Sequence, residues 1–361
     1  MRARDVLLAF LIILGGMAIT AHQRGVFAEL RQRSRSLDAY IQQEGLSRLL
    51  GLTESKNGWW RVDVSNRRVS ATGIREIIVE SASGDVKVRS HTVMGGIGIE
   101  ALRWARGDNY SAAAKNARAV NLSVSQVGDR LLISDTGPKN FWKNASLDIY
   151  VSAPSRLAVS VKAVAGKVFI EDLYGGAKAA TVSGDITIYG GAYGSASSES
   201  GNLEVAGIRG PTTARSVSGN LNLYDNQGET KASTVSGTLH IGDQNGRLEA
   251  SSVSGDIDIG YYAGPEAVLK TTSGKIAAKM EDASSGKFTA KSVSGNIRLA
   301  LPSDSDCTID LNSPGGSVST TLPLLQQTQQ HGRLRGTLGA GRGAVMLGSV
   351  SGNIEVIPPE D

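Results

Sequence analysis

Ser216-Val217-Ser218-Gly219-Asn220-Leu221-Asn222-Leu223 is followed 18 residues later by Thr234-Val235-Ser236-Gly237-Thr238-Leu239-His240-Ile241, and after another 18 by Ser252-Val253-Ser254-Gly255-Asp256-Ile257-Asp258-Ile259. Working outward, the same glycine-led strand recurs at Gly166, Gly184, Gly201, Gly219, Gly237, Gly255, Gly274, Gly295, Gly316 and Gly352, with spacings of 18, 17, 18, 18, 18, 19, 21, 21 and 36. The last interval equals two coils. A period near 20 residues is the signature of a solenoid, whose units cannot bury their apolar faces alone and stack on their neighbours.

Each position in the repeat has its own chemistry. Aliphatic residues stand two and four after the glycine, as in Ile186 and Ile188 or Leu221 and Leu223, and alternate with polar ones. That is the period-2 pattern of a strand with one buried face. A shorter strand precedes each glycine, with Ala179, Ala196, Ala214, Ala232, Ala250, Leu269, Ala290, Leu311 and Leu347 five residues before it. Val182, Val217, Val235, Val253, Val293 and Val350 stand two before it, and both columns are expected to point inward. A glycine recurring at one phase implies a backbone angle or a close approach that a side chain forbids. The flanking Ser and Thr hydroxyls suit a corner whose polar groups must stay bonded, which makes them structural rather than nucleophilic. The fold class expected is all-β, a parallel β-solenoid over residues 161–358.

Other repeat classes fit poorly. Leucine-rich repeats need an Asn/Cys-centred pattern, and calcium-binding nonapeptides need tandem Gly-Gly-x-Gly-x-Asp units; neither is present. With 44 glycines in the chain and β-branched residues at alternate positions, helix is disfavoured through 161–358.

The 361 residues are 40% hydrophobic, enough for a substantial core. A single cysteine, Cys307, excludes an intrachain disulfide framework and argues against a thiolate metal site, so stacking must supply the stability. Residues 1–21 read as an export signal: Arg2 and Arg4 precede an apolar run from Val6 to Ala21. That run is short for a membrane span, yet no small-x-small cleavage site follows it, so a cleaved signal and an uncleaved anchor both stand. Either way the repeats lie outside the cytoplasm, in the periplasm, at the cell surface or tethered to a membrane. Residues 22–58 form a basic segment, expected as an amphipathic or linker helix, that could contact an anionic membrane surface together with the apolar run.

Location matters more than the formal charge of +4. Residues 22–68 hold nine Lys/Arg against five Asp/Glu, whereas 69–361 hold 27 against 28. A near-neutral array lacks the basic stripe that nucleic-acid binding requires.

Residues 59–160 alternate without the tight period and contain all four tryptophans, which suits an irregular β cap sealing an open apolar end. Ala101 to Arg118 is Ala-rich and charged, a loop or a short helix.

The run Ser146-Leu147-Asp148-Ile149-Tyr150-Val151-Ser152-Ala153-Pro154, then Leu157-Ala158-Val159-Ser160-Val161 and Ala165-Gly166-Lys167-Val168, resembles an adhesin-like β-strand-repeat family of unknown function known by the name "putative adhesin". That family is related to the head domains of some autotransporter adhesins. The resemblance covers roughly residues 73–358. It implies a parallel β-solenoid on secreted or membrane-anchored bacterial proteins, with no catalytic residues to carry over. The chain departs from the pattern at Glu199, which replaces a corner valine, and at 321–345, where Gln326, Gln327, Gln329 and Gln330 interrupt the ladder.

Chemistry-bearing groups are sparse. His240 and Asp258 share a column in adjacent coils, about 4.8 Å apart, and with Asp256 they are the weak candidates for acid/base work on a polysaccharide. The competing reading is a solvated face. The four histidines lack ligand spacing and no glycine-rich loop opens a helix, so neither metal nor cofactor is expected. Tyr174, Tyr189, Tyr193, Tyr224, Tyr261 and Tyr262 fall at strand ends or loops of the first six coils. They form either an aromatic strip for stacking on a glycan or protein, or loop covers shielding the core. Three functions follow: a non-enzymatic envelope protein offering a repetitive surface for adhesion, binding or spacing; a polysaccharide-active β-helix enzyme; or a sensory or assembly accessory of the envelope.

Overall fold

The computed structural model describes residues 55–91, 96–138, 142–284 and 286–359. The chain divides into two units, Met1–Trp60 and Arg61–Asp361. Of the first, Ser55–Lys56 pairs antiparallel with residues 59 and 60. The expected export or anchor segment and residues 22–54 of the expected helical or linker segment lie outside the described residues, while 55–58 are strand and turn.

The second unit is a parallel β-solenoid of two facing sheets. Strands that follow the glycines form one sheet and strands that precede them form the other. In the post-glycine sheet the register runs Ile186, Leu203, Leu221, Leu239, Ile257, Ile276 and Ile297 in adjacent coils. Each is at most 1% exposed, so these residues make one continuous interior file. Opposite them the pre-glycine sheet contributes Ala179, Ala196, Ala214, Ala232, Ala250, Leu269 and Ala290, in register and buried. Bulky side chains on one sheet meet small ones on the other, which lets the sheets close on a thin, filled core.

The glycine column is set by close approach between coils. A Cβ on Gly201 would lie 2.0 Å from the carbonyl oxygen of Gly184, one on Gly219 2.0 Å from that of Gly201, and one on Gly255 1.7 Å from that of Gly237. From Gly201 onward the hydroxyl three residues before the glycine completes the corner. Ser349, for example, donates to the Gly295 carbonyl at 3.1 Å and accepts the Gly352 N–H at 2.9 Å. One residue after the glycine, Asp or Asn side chains form a second ladder: Asp185, Asn202 and Asn220 each accept the backbone N–H of the equivalent residue in the next coil, at 2.9–3.0 Å. A second glycine file, Gly210, Gly228, Gly246 and Gly264, lies at another corner, where each Cβ would meet a carbonyl oxygen of the coil before at 2.2–2.3 Å. Its interval of 18 was readable in the sequence but hidden by irregular flanks. The chain is left-handed at or just past the end of the post-glycine strand, at Asp172, Gly190, Gly207, Asp225 and Asp243, with φ between 49° and 70°. Glycine and aspartate are residues that tolerate that region.

The valine column is corrected by the structure. Val182, Val217, Val235, Val253, Val293 and Val350 are 44–58% exposed. Strand parity explains it: positions five and three before the glycine share the inner face, so the position two before points outward. The inner place is taken by Thr181, Ser198, Ser216 and Thr234, all buried.

Coil order departs from chain order at both ends. Ile354–Ile357 inserts between Ile297–Ala300 and Val318–Thr320, so Gly352 stacks on Gly295 and Gly316 lies outside it. The interval of 36 therefore holds no pair of in-line coils. Its residues build an antiparallel hairpin, Leu325–Gln330 with Arg333–Leu338, that pairs with Cys307–Asn312 and covers the end of the pre-glycine sheet. Asp310 clasps the hairpin, accepting from Arg333 at 3.1 Å and Arg335 at 2.8 Å. At the other end, Glu76–Ser83 and Val86–His91 stack directly on the coil of Gly166, so Gly84 belongs to the same glycine file. Beyond them lie Arg130–Thr136 and Ala145–Pro154, which pair antiparallel with Asn121–Val127 and Gly96–Arg106. Helix Tyr110–Ala117 follows, capped by Asn109, whose side chain accepts the Ala112 N–H at 3.0 Å, and buries Ala113 and Ala117. Among the described residues, antiparallel strands at three of the four sheet ends stop those ends from templating further strands; the fourth is the short parallel strand Val318–Thr320. Cys307 is wholly buried in the core, where desolvation first and the charges of Asp282 and Asp306 next push its thiol up to about 11.

Candidate binding face

Residues three and five after each glycine point outward from the post-glycine sheet, and this face collects most of the candidate groups. His240 lies beside Asp258 in the neighbouring coil, with Nδ1 3.0 Å from Oδ2. Both side chains are open to solvent, 39% and 51% exposed. Their column continues to Asn222 on one side and Ala277 on the other, so the column brings no third ionisable group to the pair. Asp256 takes a different role: its Oδ1 accepts the Lys275 N–H at 2.7 Å within the Asp/Asn ladder, and its carbonyl receives the Leu239 N–H. The three weak catalytic candidates thus divide into an open His/Asp pair and a corner strut. Among the described residues no His, Cys, Asp or Glu cluster could hold a metal ion.

The six tyrosines do not form one strip. Tyr262 is 1% exposed and packs in the core against Phe288, ring centroids 6.4 Å apart. Tyr261 is half-buried, its hydroxyl pKa raised by desolvation and by Glu281. Tyr193 fills the space beside Gly176, where an added Cβ would strike its ring, with Lys178 over the ring at 5.7 Å. Tyr174 is 52% exposed, with the Arg209 guanidinium 5.3 Å from its ring centroid.

Tyr189 and Tyr224 do share a column on the outer face, separated by Ala206. Tyr189 meets Phe169 edge-on at 5.8 Å, and Tyr224 leans on the His240 ring at 5.5 Å. The Tyr189 hydroxyl donates to Glu204 at 2.6 Å, and that bond leads the causes pushing its pKa up to about 12. Lys87 and Arg89 stand over the Phe169 ring at 5.2 and 5.3 Å, and Arg89 is held by Glu171 at 3.0 Å. Phe169 was missed by a reading that followed tyrosine alone; its signal was an aromatic in an outward column. The result is a flat face on which four rings alternate with carboxylates, an amide and cations. Two rings flank a low point at Ala206, two coils apart, or about 9.6 Å.

The family model described as Toastrack DUF4097 matches residues 68–267 and 251–357. No curated protein matches the chain. Solved structures similar to it include a "putative adhesin" from Parabacteroides distasonis, at 15% identity over 81% of this chain and 97% of that one, TM-score 0.43. Another is a "putative adhesin" from Bacteroides fragilis, at 15% identity over 81% and 97%, TM-score 0.32. A "putative lipid binding protein" from Parabacteroides distasonis matches at 12% identity over 81% and 96%, TM-score 0.38.

Proposed function

The chain belongs to the Toastrack DUF4097 family, and from that premise we propose that it is a non-enzymatic, exported envelope protein whose outer post-glycine face binds an extended envelope glycan. The observation that carries this reading is the grouping of Phe169, Tyr189, Tyr224 and His240 on one flat face beside Glu204, Asn222 and Asp258. Rings offer apolar surface to the C–H faces of sugars, and neighbouring carboxylates and amides bond their hydroxyls. A polymer lying along the array meets the same backbone step at every coil. The open setting of His240 and Asp258 favours binding over turnover, because acid/base catalysis needs groups converging on one reacting atom in a site that excludes water. The test is retention of the purified protein on insoluble peptidoglycan and on envelope polysaccharides. Phe169→Ala with Tyr224→Ala is expected to abolish retention and Tyr174→Ala to leave it intact. Equal retention of all variants overturns the assignment of the face, and new reducing ends lost in His240→Ala overturn the non-enzymatic reading.

A further inference from the structure

One corner of the solenoid carries an exposed apolar ridge. Of the large hydrophobic side chains exposed among the described residues, Val164 and the six valines two before the glycines fall in this single file. Its backbone is already satisfied: the Val235 carbonyl accepts the N–H and hydroxyl of Ser254 at 3.0 and 3.2 Å. The Val293 carbonyl likewise accepts from Val350, and from the N–H and hydroxyl of Ser351. The ridge has no strand edge to offer and presents chiefly methyl groups, so what it favours is an apolar partner.

The order of residues along the ridge identifies that partner. Taking Val235 as the centre, Val217 and Val253 lie one coil away on either side, and Glu199 and Thr272 two coils away. Val182 and Val293 lie three coils away, and Val164 and Val350 four. The file is therefore palindromic, with its two polar interruptions equidistant from the centre. We infer that this ridge is the interface of an antiparallel homodimer, in which a two-fold axis at Val235 lays valine on valine and sets Glu199 of each copy against Thr272 of the other.

Charge selects the antiparallel orientation. The coil of Thr272 is flanked by the exposed Lys270 and Lys275, so the antiparallel arrangement places Glu199 between two ammonium groups of the second copy, twice over. A parallel arrangement sets Glu199 against Glu199. It also brings Lys270 against Lys275, because a two-fold axis along the ridge exchanges its flanks. Like charges held together across a closing interface oppose association and discriminate between orientations. From Val164 to Val350 the ridge spans eight coil steps, about 38 Å. Five residues of extended chain separate the flanks, at most about 17 Å, so the strip offers at most roughly 650 Å² per copy, under the roughly 800 Å² of a standard stable interface.

Cysteine cross-linking of the full-length chain in producing cells tests both the contact and its direction, since the native Cys307 is buried. Differently tagged Glu199→Cys and Thr272→Cys chains are co-produced and oxidised with copper phenanthroline. The expected result is a mixed-tag disulfide at least tenfold above that of Thr187→Cys, which lies on the outer post-glycine face, and at least tenfold weaker when both chains carry Val235→Lys. Val217→Lys is a second variant with the same expectation, in case either lysine disturbs folding. Self-cross-linking of Glu199→Cys in place of the mixed product overturns the antiparallel arrangement. A mixed product no stronger than the Thr187→Cys control, or one indifferent to both lysines, overturns the interface. Co-sedimentation of a monomeric chain with phosphatidylglycerol vesicles, lost in Val235→Lys, reassigns the ridge to a lipid surface and overturns it as well.

Discussion

Gly255→Ala and Gly260→Ala are the same chemical change five residues apart, and the structure assigns them opposite outcomes. At Gly255 the new Cβ would lie 1.7 Å from the Gly237 carbonyl oxygen, whereas real Cβ atoms keep at least 3.0 Å. The backbone there is not in the left-handed region, so the whole penalty arises between coils. Relief requires opening the corner by more than an ångström, which stretches the bonds from Leu239 N to the Asp256 carbonyl, 2.9 Å, and from Ser254 N to the Val235 carbonyl, 3.0 Å. Two weakened hydrogen bonds cost about 1 kcal/mol each, and overpacking a close-packed corner adds about 1–3 kcal/mol. The expected destabilisation is therefore about 3–5 kcal/mol. At Gly260 the nearest atoms to an added Cβ are 3.8 Å away, an ordinary contact. The alanine there restricts the unfolded chain and should leave stability unchanged or raise it by about 0.4–1 kcal/mol. Urea unfolding followed by far-UV circular dichroism gives the two differences, and amide hydrogen exchange locates them. Nearest-neighbour coupling in a stacked array confines the Gly255→Ala loss to the coils of Gly237, Gly255 and Gly274. Two variants within about 0.5 kcal/mol of each other, below the scatter that separates surface from core substitutions, would refute the close-approach account of the glycine file.

Two further outcomes follow from polar groups at the coil corners. Asp148, whose Oδ1 accepts the Asp85 N–H at 2.9 Å, has its pKa raised from 3.8 to about 6, chiefly by desolvation. A carboxyl raised on folding stabilises below its unfolded value and loses that contribution as pH climbs through about 6, so Asp148→Asn should raise the melting temperature at pH 7.5 and do little at pH 3.5. The displacement corresponds to at most roughly 3 kcal/mol, and equal shifts at both pH values would contradict it. Ser349→Ala removes the bond to the Gly295 carbonyl and leaves the Gly352 N–H buried without its acceptor, a loss of about 1–3 kcal/mol in urea unfolding; Ser349→Thr should retain most of the stability, since Thr234 and Thr271 occupy the same column.

Legibility of the candidate face was uneven for a physical reason. His240 and Asp258 were placed side by side correctly from their shared phase, because parallel in-register stacking converts equal offsets from the glycine into neighbours. Tyr262 misled because it stands where the strand ends: the register shifts between Ile259 and Tyr262, so counting from Gly255 no longer gives the face. Phe169, Lys87 and Arg89 come together because coil 86–91 stacks on coil 168–173, residues about eighty apart in the chain. Spacing alone carries no trace of that contact.

The sequence by itself determined the strands, their period, the aliphatic interior file and membership of a stacked array, because alternation and stacking are local properties repeated at a fixed interval. Correct parity also held the outward turn of the valines, since positions three residues apart cannot share a face of one strand. Only the tertiary structure decided that Gly352 stacks between Gly295 and Gly316, that Gly84 joins the file ahead of Gly166, and that the glycines answer a carbonyl oxygen of the coil before. An in-register coil can accept any matching coil as its neighbour, and which one it takes depends on how the connecting chain at each end folds back to cover the open edge.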